Sequence, residues 1–461
     1  MAFPPSDAQT KTLQYKQSNV HDFGWVADKR FHVLKGEVEL PNTKRKVTLW
    51  AMFTPLEDHL WKNSIEYMHD AAYYYSLWNG DYPYNQITAV DGTIAAGGGM
   101  EYPNMTIIGQ SRTAHLLEMV IVHEIGHNWF YGILGSNERD HGWMDEGINS
   151  FNEMRYVYTK YPIEKFDNRN ELSALGKFSH WLHVDKLSDK QVRMGFYKVP
   201  ALRKTSQAIE TKSPDFTSTN YARKNYTKKH LDYHLGTEMF DKCMQTYFET
   251  WKFKHPYPND IKNVFMKMSD QNLAWFFDSY IPQDINIDFK LKKVKLNPDQ
   301  TYTVYVDNKN LPGYPYNIIT YKKGKQVSNK WIWPGKSETI VEAGDYDRIG
   351  IGTDEAIPDI NMYNNAKSIK GIFKRGNKSK LRFLTGLDDG LSKQLYWNPV
   401  AGYNLWDGTM LGASLHNFDS RPKKFNFHIS PMYGFNSGSL AGFGFGSMNI
   451  YSIKTADITI D

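Results

Sequence analysis

The chain contains the pentapeptide H-E-I-G-H, from His123 to His127, and further on the segment W-M-D-E-G, which holds Glu146. Residues four apart lie on one face of an α-helix, so His123 and His127 should point the same way. Two imidazoles placed like this can bind one divalent metal, and Glu124 projects beside them, where it can reach a water molecule on the metal. Eighteen residues separate His127 from Glu146, enough to end one helix and begin another. Glu146 is therefore predicted to be the third ligand of one tetrahedral Zn²⁺ ion with an open position.

The residues before His123 predict a buried helix. Ser111 and Thr113 are available to cap its start, and the apolar run should end only at Gly135 and Ser136. Helical periodicity is carried by Leu116, Leu117, Met119, Val120, Val122, Trp129, Phe130 and Leu134. An alternative is that the pentapeptide is an ordinary core helix with hydrogen-bonded histidines, but the glutamate at this spacing favours a metal site.

A second helix is predicted from about Trp143 to Tyr161, where Pro162 would stop it. Glu146 then lies in its first turn. Metal-binding histidines need partners that orient their rings, and the sequence does not identify these. Asp145 and Asn149 are close to Glu146, and each fits a helix cap or a surface group equally well.

This combination of H-E-x-x-H, eighteen residues and a glutamate resembles the gluzincin aminopeptidases, the family of aminopeptidase N and leukotriene A hydrolase. The resemblance implies an α+β fold built on a thermolysin-like zinc peptidase domain. It also implies hydrolysis of N-terminal residues from peptides by a zinc-activated water, with Glu124 as the general base.

The segment G-G-M-E-Y is similar to the G-A-M-E-N exopeptidase motif of that family. The resemblance implies that Gly98, Gly99, Met100 and Glu101 form a strand edge that binds substrate, since glycines let a peptide approach the backbone closely. Glu101 would bind the free α-amine of the substrate. Gly99 stands where the family has alanine, which is a mild departure. Tyr102 stands where the family has asparagine, and this departure bears on substrate preference.

The family also uses a tyrosine to stabilise the oxyanion. Its pattern places this tyrosine about four helical turns before a Leu-Gly pair and a following phenylalanine. Leu235, Gly236 and Phe240 fit that tail and select Tyr221, with Tyr226 as the alternative. Tyr221 is therefore predicted to be a donor aimed at developing negative charge.

The composition describes a chain of several domains that does not bind nucleic acid. The 461 residues carry a formal charge of +5, with basic residues scattered. Cys243 is the single cysteine, which excludes an internal disulfide framework. No apolar run approaches the length of a membrane-spanning helix, and the start M-A-F-P-P-S-D lacks the features of a signal peptide.

Four segments are predicted. Residues 1–55 are interpreted as the remnant of an N-terminal β domain, because V-H-D-F-G-W-V-A-D resembles the end of that domain in the family. On this interpretation the chain is N-terminally truncated. Residues 56–282 form the catalytic domain, and alternating strands predict a β-sandwich over 283–358.

Residues 372–461 alternate aromatic with small or polar residues, which is typical of an outer-membrane β-barrel. The stretch also resembles the barrel that follows the peptidase in some Bacteroidetes-type homologues. About four or five strands fit, so a partial antiparallel barrel is predicted, ending inside the domain. The alternative is an extra antiparallel sheet of a soluble protein. The barrel interpretation predicts a bacterial protein of the periplasm or outer membrane, associated with the membrane through this segment.

Three functions remain open from the sequence. The first is a zinc aminopeptidase whose partners are peptides with a free N-terminus. The second is a weakly active or inactive peptide-binding scaffold that kept the peptidase fold, against which Glu124 argues because zinc binding alone needs no general base. The third is an endopeptidase, against which Glu101 argues because an internal peptide has no amine to pair with it.

Overall fold

The computed structural model describes residues 9–92, 98–161, 231–281, 287–308, 313–352, 359, 362–370, 379–385, 393–418, 425–450 and 458–460, except residues 11, 13, 233 and 334. The chain forms two compact units. Residues 1–162 and 207–284 belong to the first unit, which contains the candidate site, and the remaining residues belong to the second.

A five-stranded sheet organises the first unit. Its order is β1-β2-β3-β5-β4, with parallel pairing of β2 with β3 and of β3 with β5, and antiparallel pairing elsewhere. The strands are β1 (His32–Glu39), β2 (Lys46–Phe53), β3 (Gln86–Asp91), β4 (Gly99–Met100) and β5 (Met105–Ile108). Because β2 pairs with β3, the predicted boundary near residue 55 falls inside this unit, after the second strand. The short strand β4 lies at the edge of the sheet.

Seven α-helices are described in this unit. They are α1 (Asp58–Trp61), α2 (Ser64–Asn79), α3 (Ala114–Gly126), α4 (Glu138–His141), α5 (Ile148–Lys160), α6 (Thr237–Trp251) and α7 (Pro258–Ser269). Two π-helical turns add to them, at Trp143–Gly147 and Trp275–Tyr280. Among the described helices, none has the length and apolar character needed to cross a membrane.

The helix that carries the first histidine begins as predicted and ends earlier. Thr113 caps α3 by accepting a hydrogen bond from the backbone N–H of Leu116. The prediction that the helix continues to Gly135 is wrong, because α3 ends at Gly126 and the next residues form turns. Tyr131 has a φ of +107°, which a regular helix cannot contain.

Side-chain contacts explain why the chain leaves the helix there. The indole of Trp129 is fully buried and donates to the carbonyl oxygen of Gly80 at 2.8 Å. The amide oxygen of Asn128 accepts from the backbone N–H of Asn104 at 2.9 Å. Anchoring of these neighbours outweighs the helical periodicity of the apolar residues that follow.

The second predicted helix is present in two parts. Residues Trp143–Gly147 form a π-helical turn, and α5 follows directly and ends at Lys160, with Tyr161 as its C-cap. Glu146 lies in the π-helical turn, as the prediction of a first-turn position requires. Turns of this kind are rare and are found frequently at functional sites.

The second unit consists mainly of antiparallel strands. One sheet of three strands has the order β10-β7-β6, and one of four strands has the order β12-β11-β8-β9. The strands are β6 (Lys290–Leu296), β7 (Tyr302–Asp307), β8 (Tyr316–Lys322), β9 (Lys325–Ile332), β10 (Glu338–Val341), β11 (Arg348–Ile351) and β12 (Ala366–Ser368). The strand content matches the pattern read from the sequence, while the domain limits 283–358 and 372–461 stay predictions.

A separate sheet of six strands follows, in sequential order from β13 to β18. The prediction of antiparallel strands holds for four of its five pairs, whereas β13 and β14 run parallel. The strands are β13 (Ser379–Phe383), β14 (Lys393–Asn404), β15 (Gly408–His416), β16 (Phe425–Gly434), β17 (Ser439–Ile450) and β18 (Ile458–Ile460).

Candidate active site

Three predicted ligands converge on one point of the first unit. The Nε2 atoms of His123 and His127 lie 3.1 Å apart. Glu146 Oε2 lies 3.3 Å from the first of these nitrogens and 3.4 Å from the second. His127 is the C-cap of α3 and keeps helical backbone angles, so the one-turn spacing survives although the helix ends there.

This triangle has the dimensions of a zinc site. Ligand bonds of about 2.0–2.1 Å in tetrahedral geometry place neighbouring donor atoms about 3.3 Å apart. The three measured separations are all close to that value. Two imidazole nitrogens and a carboxylate oxygen also form one of the usual catalytic donor sets, so the residues fit the metal.

Two further carboxylates orient the histidine rings. Asp145 Oδ1 lies 2.7 Å from Nδ1 of His127, and Glu153 Oε2 lies 3.1 Å from Nδ1 of His123. An ionised carboxylate only accepts hydrogen bonds, so each ring donates from Nδ1 and directs the Nε2 lone pair at the shared point. Asp145, which the sequence left open between an orienting partner, a helix cap and a surface group, therefore orients a ligand histidine.

Asn149 locks the end of α3 to the start of α5. Its Nδ2 donates to the backbone oxygen of His123 at 2.8 Å, and its Oδ1 accepts from the hydroxyl of Tyr75 at 2.9 Å. A Cβ atom at Gly126 would lie 2.0 Å from Asn149 Oδ1. Glycine at this position of the pentapeptide therefore lets the second helix approach the first closely.

The ligand cluster favours a cation at its centre. Burial lowers the pKa of His123, but hydrogen bonds to Glu146 and Glu153 more than offset this and raise it to about 10. Burial raises the pKa of Glu146, while the two histidines hold it well below its usual range. A histidine must be deprotonated at the nitrogen that binds a metal, so metal binding at this cluster is expected to be coupled to proton release.

Glu124 is placed differently from the ligands. The side chain is buried against β4, at the residue Gly99. Burial is the main cause that raises the pKa of its carboxyl group, to about 7, while the ligand histidines oppose the shift and Glu101 adds to it. A carboxylate with a pKa near neutrality is suited to take a proton and give it back.

Glu101 follows the edge strand β4 and reaches the same region. One of its carboxylate oxygens lies within 4.8 Å of a ring nitrogen of His127 and of a carboxylate oxygen of Asp145. The backbone oxygen of Met100 accepts a hydrogen bond from the hydroxyl of Thr106, which helps to hold β4 against β5. The predicted substrate residues and the predicted metal ligands are therefore brought together.

The predicted oxyanion tyrosine lies outside the described residues. Tyr221 and its alternative Tyr226 both belong to the segment 162–230, so their role stays a prediction. Sequence reasoning also missed Glu153. Its position seven residues after Glu146 was a usable signal, since residues seven apart share one face of a helix.

Comparison with known proteins assigns this part of the chain to a family. The family model described as the peptidase family M1 domain matches residues 64–280. These residues form a peptidase family M1 domain. The match includes all three candidate ligands together with Glu124 and Glu101, and it confirms the resemblance to the gluzincin aminopeptidases.

Curated relatives agree with this assignment. Leucine aminopeptidase 2 of Chaetomium globosum is 28% identical over 178 residues, which are 37% of this chain and 27% of that protein. Leukotriene A-4 hydrolase homolog of Botryotinia fuckeliana is 23% identical over 210 residues, 42% of this chain and 31% of that protein. Aminopeptidase N of Lactococcus lactis is 25% identical over 171 residues, 36% of this chain and 18% of that protein. The matched part of the chain thus spans less than a third of each of these relatives.

A solved structure shows the same fold. The crystal structure of Legionella pneumophila aminopeptidase A in complex with aspartic acid superposes with a TM-score of 0.56 at 12% identity. The match covers 71% of this chain and 38% of that one. The α+β peptidase fold predicted from the sequence is therefore confirmed.

Proposed function

We propose that the protein is a zinc-dependent aminopeptidase that removes N-terminal residues from peptides. The observation that supports this most directly is the triangle of His123, His127 and Glu146 donor atoms, with sides of 3.1–3.4 Å. Its setting in a peptidase family M1 domain, beside Glu124 and Glu101, supplies the groups that peptide hydrolysis needs.

The triangle would hold one Zn²⁺ ion and leave a fourth position for the reaction. When bound, zinc lowers the pKa of a water molecule and polarises the scissile carbonyl. Glu124 takes a proton from the attacking water and later passes it to the leaving amine. Burial raises the pKa of its carboxyl group above the ordinary value, which suits a group that first accepts and then donates a proton. Asp145 and Glu153 keep the ligand rings in place throughout.

Exopeptidase specificity is proposed to come from β4 and Glu101. A peptide added alongside the edge strand can pair with backbone groups of Gly98, Gly99 and Met100. Glu101 then receives the positively charged α-amine at a fixed distance from the metal. A charge-assisted contact of this kind favours a free N-terminus over a blocked one.

Tyr221 is proposed to donate a hydrogen bond to the oxyanion that forms during the reaction. The support is the sequence pattern around Leu235 and Gly236, of which Leu235 ends a helical stretch and Gly236 is the N-cap of α6 with a φ of +80°. A donor aimed at developing charge lowers the barrier without tightening substrate binding.

The scaffold alternative is not favoured. A protein that only binds peptides has no need for a buried carboxylate beside the metal ligands, because burying a charge without a partner is costly. Glu124 is 7% exposed, and the described residues form no hydrogen bond with its carboxylate. A buried carboxylate beside the metal ligands is suited to act as a base.

A hydrolysis assay separates the three functions. The full chain is loaded with zinc and offered aminoacyl-arylamides and N-acetylated counterparts, with and without a chelator. An aminopeptidase cleaves the free substrates, spares the acetylated ones and stops when the metal is removed. Equal cleavage of both substrates would indicate an endopeptidase, and no cleavage by the zinc-loaded chain would indicate a scaffold.

We also propose a bacterial envelope location, in the periplasm or at the outer membrane, with association through the C-terminal strands. The support is that many large apolar side chains on these strands are exposed, namely Trp397, Tyr403, Leu411, Ile429, Tyr433, Phe443 and Phe445. Exposed apolar surface of this extent is typical of membrane or protein interfaces. Co-flotation of the full chain with phospholipid vesicles tests it, and a chain left entirely in the aqueous fraction would contradict it.

A further inference from the structure

Glu124 lies against the backbone of the edge strand at Gly99, where a Cβ atom would overlap its side chain. A Cβ atom built on Gly99 would lie 2.2 Å from Glu124 Oε1, 2.3 Å from Cδ and 2.4 Å from Cγ. Separations this short do not occur between non-bonded atoms, so an alanine at this position requires the glutamate side chain to move. By contrast, a Cβ atom on Gly98 would lie 3.7 Å from Val120 Cγ2, which is an ordinary contact.

We propose that Gly99 is a positioning residue for the general base. By lacking a side chain, it fixes where the Glu124 carboxylate lies relative to β4 and therefore relative to a peptide bound along that strand. This inference rests on the proposed aminopeptidase function and adds to it. The family motif quoted above has alanine where this chain has Gly99, so the motif itself does not assign this role to the position.

Among the described residues, packing is what positions this carboxylate. The ligand histidines are held by Asp145 and Glu153, but within the described ranges no hydrogen bond holds Glu124. Its carboxylate is nevertheless buried. The three atoms nearest to a Cβ on Gly99 all belong to Glu124. The contact with the strand therefore restricts the side chain from Cγ outwards.

The overlap between a methyl group on Gly99 and the Glu124 side chain is deep enough to predict its effect. Since Cγ, Cδ and Oε1 all lie within 2.4 Å of the new atom, rotation of the terminal carboxylate alone cannot relieve it. The side chain has to move by on the order of 1 Å, and a misplacement of that size near the reacting atoms can cost about a hundredfold in rate. Gly99 has no positive φ, so alanine itself brings no backbone strain.

The kinetic test is Gly99→Ala in the full zinc-loaded chain. We expect kcat for an aminoacyl-arylamide to fall about ten- to a hundredfold, because proton transfer loses its geometry. Zinc content should stay the same, since the ligands lose no contact. The fall in kcat should exceed any change in KM, because the methyl group is directed at Glu124 and leaves the backbone groups that pair with the peptide in place. A variant that keeps the unmutated kcat, or exceeds it, would overturn the proposal while leaving the aminopeptidase function intact.

A thermal-unfolding cycle tests the contact without any activity. Gly99→Ala should lower the unfolding midpoint by about 4–8 °C, as expected for overpacking of a buried site. In a Glu124→Ala background, which removes Cγ, Cδ and Oε1, the same substitution should cost less than about 2 °C. Gly98→Ala is the matched glycine control and should melt within about 2 °C of the unmutated chain.

The kinetic test and the thermal-unfolding cycle together distinguish a failure of the proposed function from a failure of this inference. A chain with no hydrolytic activity would contradict the proposed function, yet the cycle would still decide whether Gly99 and Glu124 are coupled. An equal loss from Gly99→Ala in both backgrounds would overturn the inference, because the glycine would then not act through the glutamate. Coupling in the cycle without a change in kcat would overturn it too, since the contact would serve packing alone.

Discussion

Replacing each carboxylate that orients a ligand histidine by its amide should weaken zinc binding by different amounts. Asp145→Asn and Glu153→Gln keep the shape of the side chain and remove the negative charge on which Nδ1 of His127 or His123 relies. Loss of such a partner costs about ten- to a hundredfold in metal affinity or activity. The structure indicates which variant lies at which end of that range.

Burial and distance rank the two pairs. The Asp145 side chain is 3% exposed and its oxygen lies 2.7 Å from the ring nitrogen, whereas that of Glu153 is 27% exposed at 3.1 Å. Water screens the second pair more strongly, because the effective dielectric constant rises with exposure. We therefore expect about a hundredfold loss for Asp145→Asn and about tenfold for Glu153→Gln, or roughly 2.7 and 1.4 kcal/mol.

Competition with a chromophoric chelator measures these affinities directly. Glu249→Gln is a suitable control, because this exposed carboxylate on α6 pairs with Lys252 and is far in sequence from the site. It should leave the zinc dissociation constant unchanged. A larger loss for Glu153→Gln than for Asp145→Asn, or no loss for either, would refute the reasoning that burial sets the strength of these pairs.

Three further outcomes are expected. Tyr221→Phe should lower kcat with little change in KM, and a loss confined to Tyr226→Phe would show that the wrong tyrosine was chosen. Glu101→Ala should weaken hydrolysis of peptides with free N-termini by about ten- to a hundredfold and barely affect acetylated ones, and equal effects on both would contradict the amine contact. Burial raises the pKa of Asp70, but hydrogen bonds from His69 and Lys160 outweigh this effect and lower the pKa below its ordinary value of 3.8. The charged carboxylate therefore stabilises the folded chain fully above pH 3.8. This stabilisation is lost as the pH falls through the lower pKa of the folded state. Asp70→Asn should therefore destabilise the chain at pH 7 and progressively less below about pH 4 in urea unfolding, whereas a cost independent of pH would contradict this.

The metal ligands could be predicted from the sequence because the spacing of residues along a helix is a local property. His123 and His127 are four residues apart, and Glu146 lies within a pattern that required only one turn between two helices. The partner of His123 could also have been found, since Glu153 lies seven residues after the third ligand within the single helix that the sequence predicts over 143–161. These positions follow from the period of a helix and need no knowledge of the remainder of the fold.

What the sequence could not supply depends on contacts between distant segments. The end of α3 at Gly126 follows from anchoring of Trp129 on Gly80 and of Asn128 on Asn104, residues that only the folded chain brings near. The close contact of Gly99 with the general base likewise joins a sheet edge to a helix. A departure from the family motif that looked mild in sequence therefore lies beside the reacting groups.

Zinc content and hydrolysis, measured together on Glu124→Gln and His123→Ala, test the central claim most directly. The account predicts that Glu124→Gln keeps about one zinc ion per chain and loses hydrolysis of an aminoacyl-arylamide by a factor on the order of a hundred or more, because the base is gone while the ligands remain. His123→Ala should lose both the metal and the activity. Hydrolysis at the unmutated rate by Glu124→Gln, or stoichiometric zinc in His123→Ala, would contradict it.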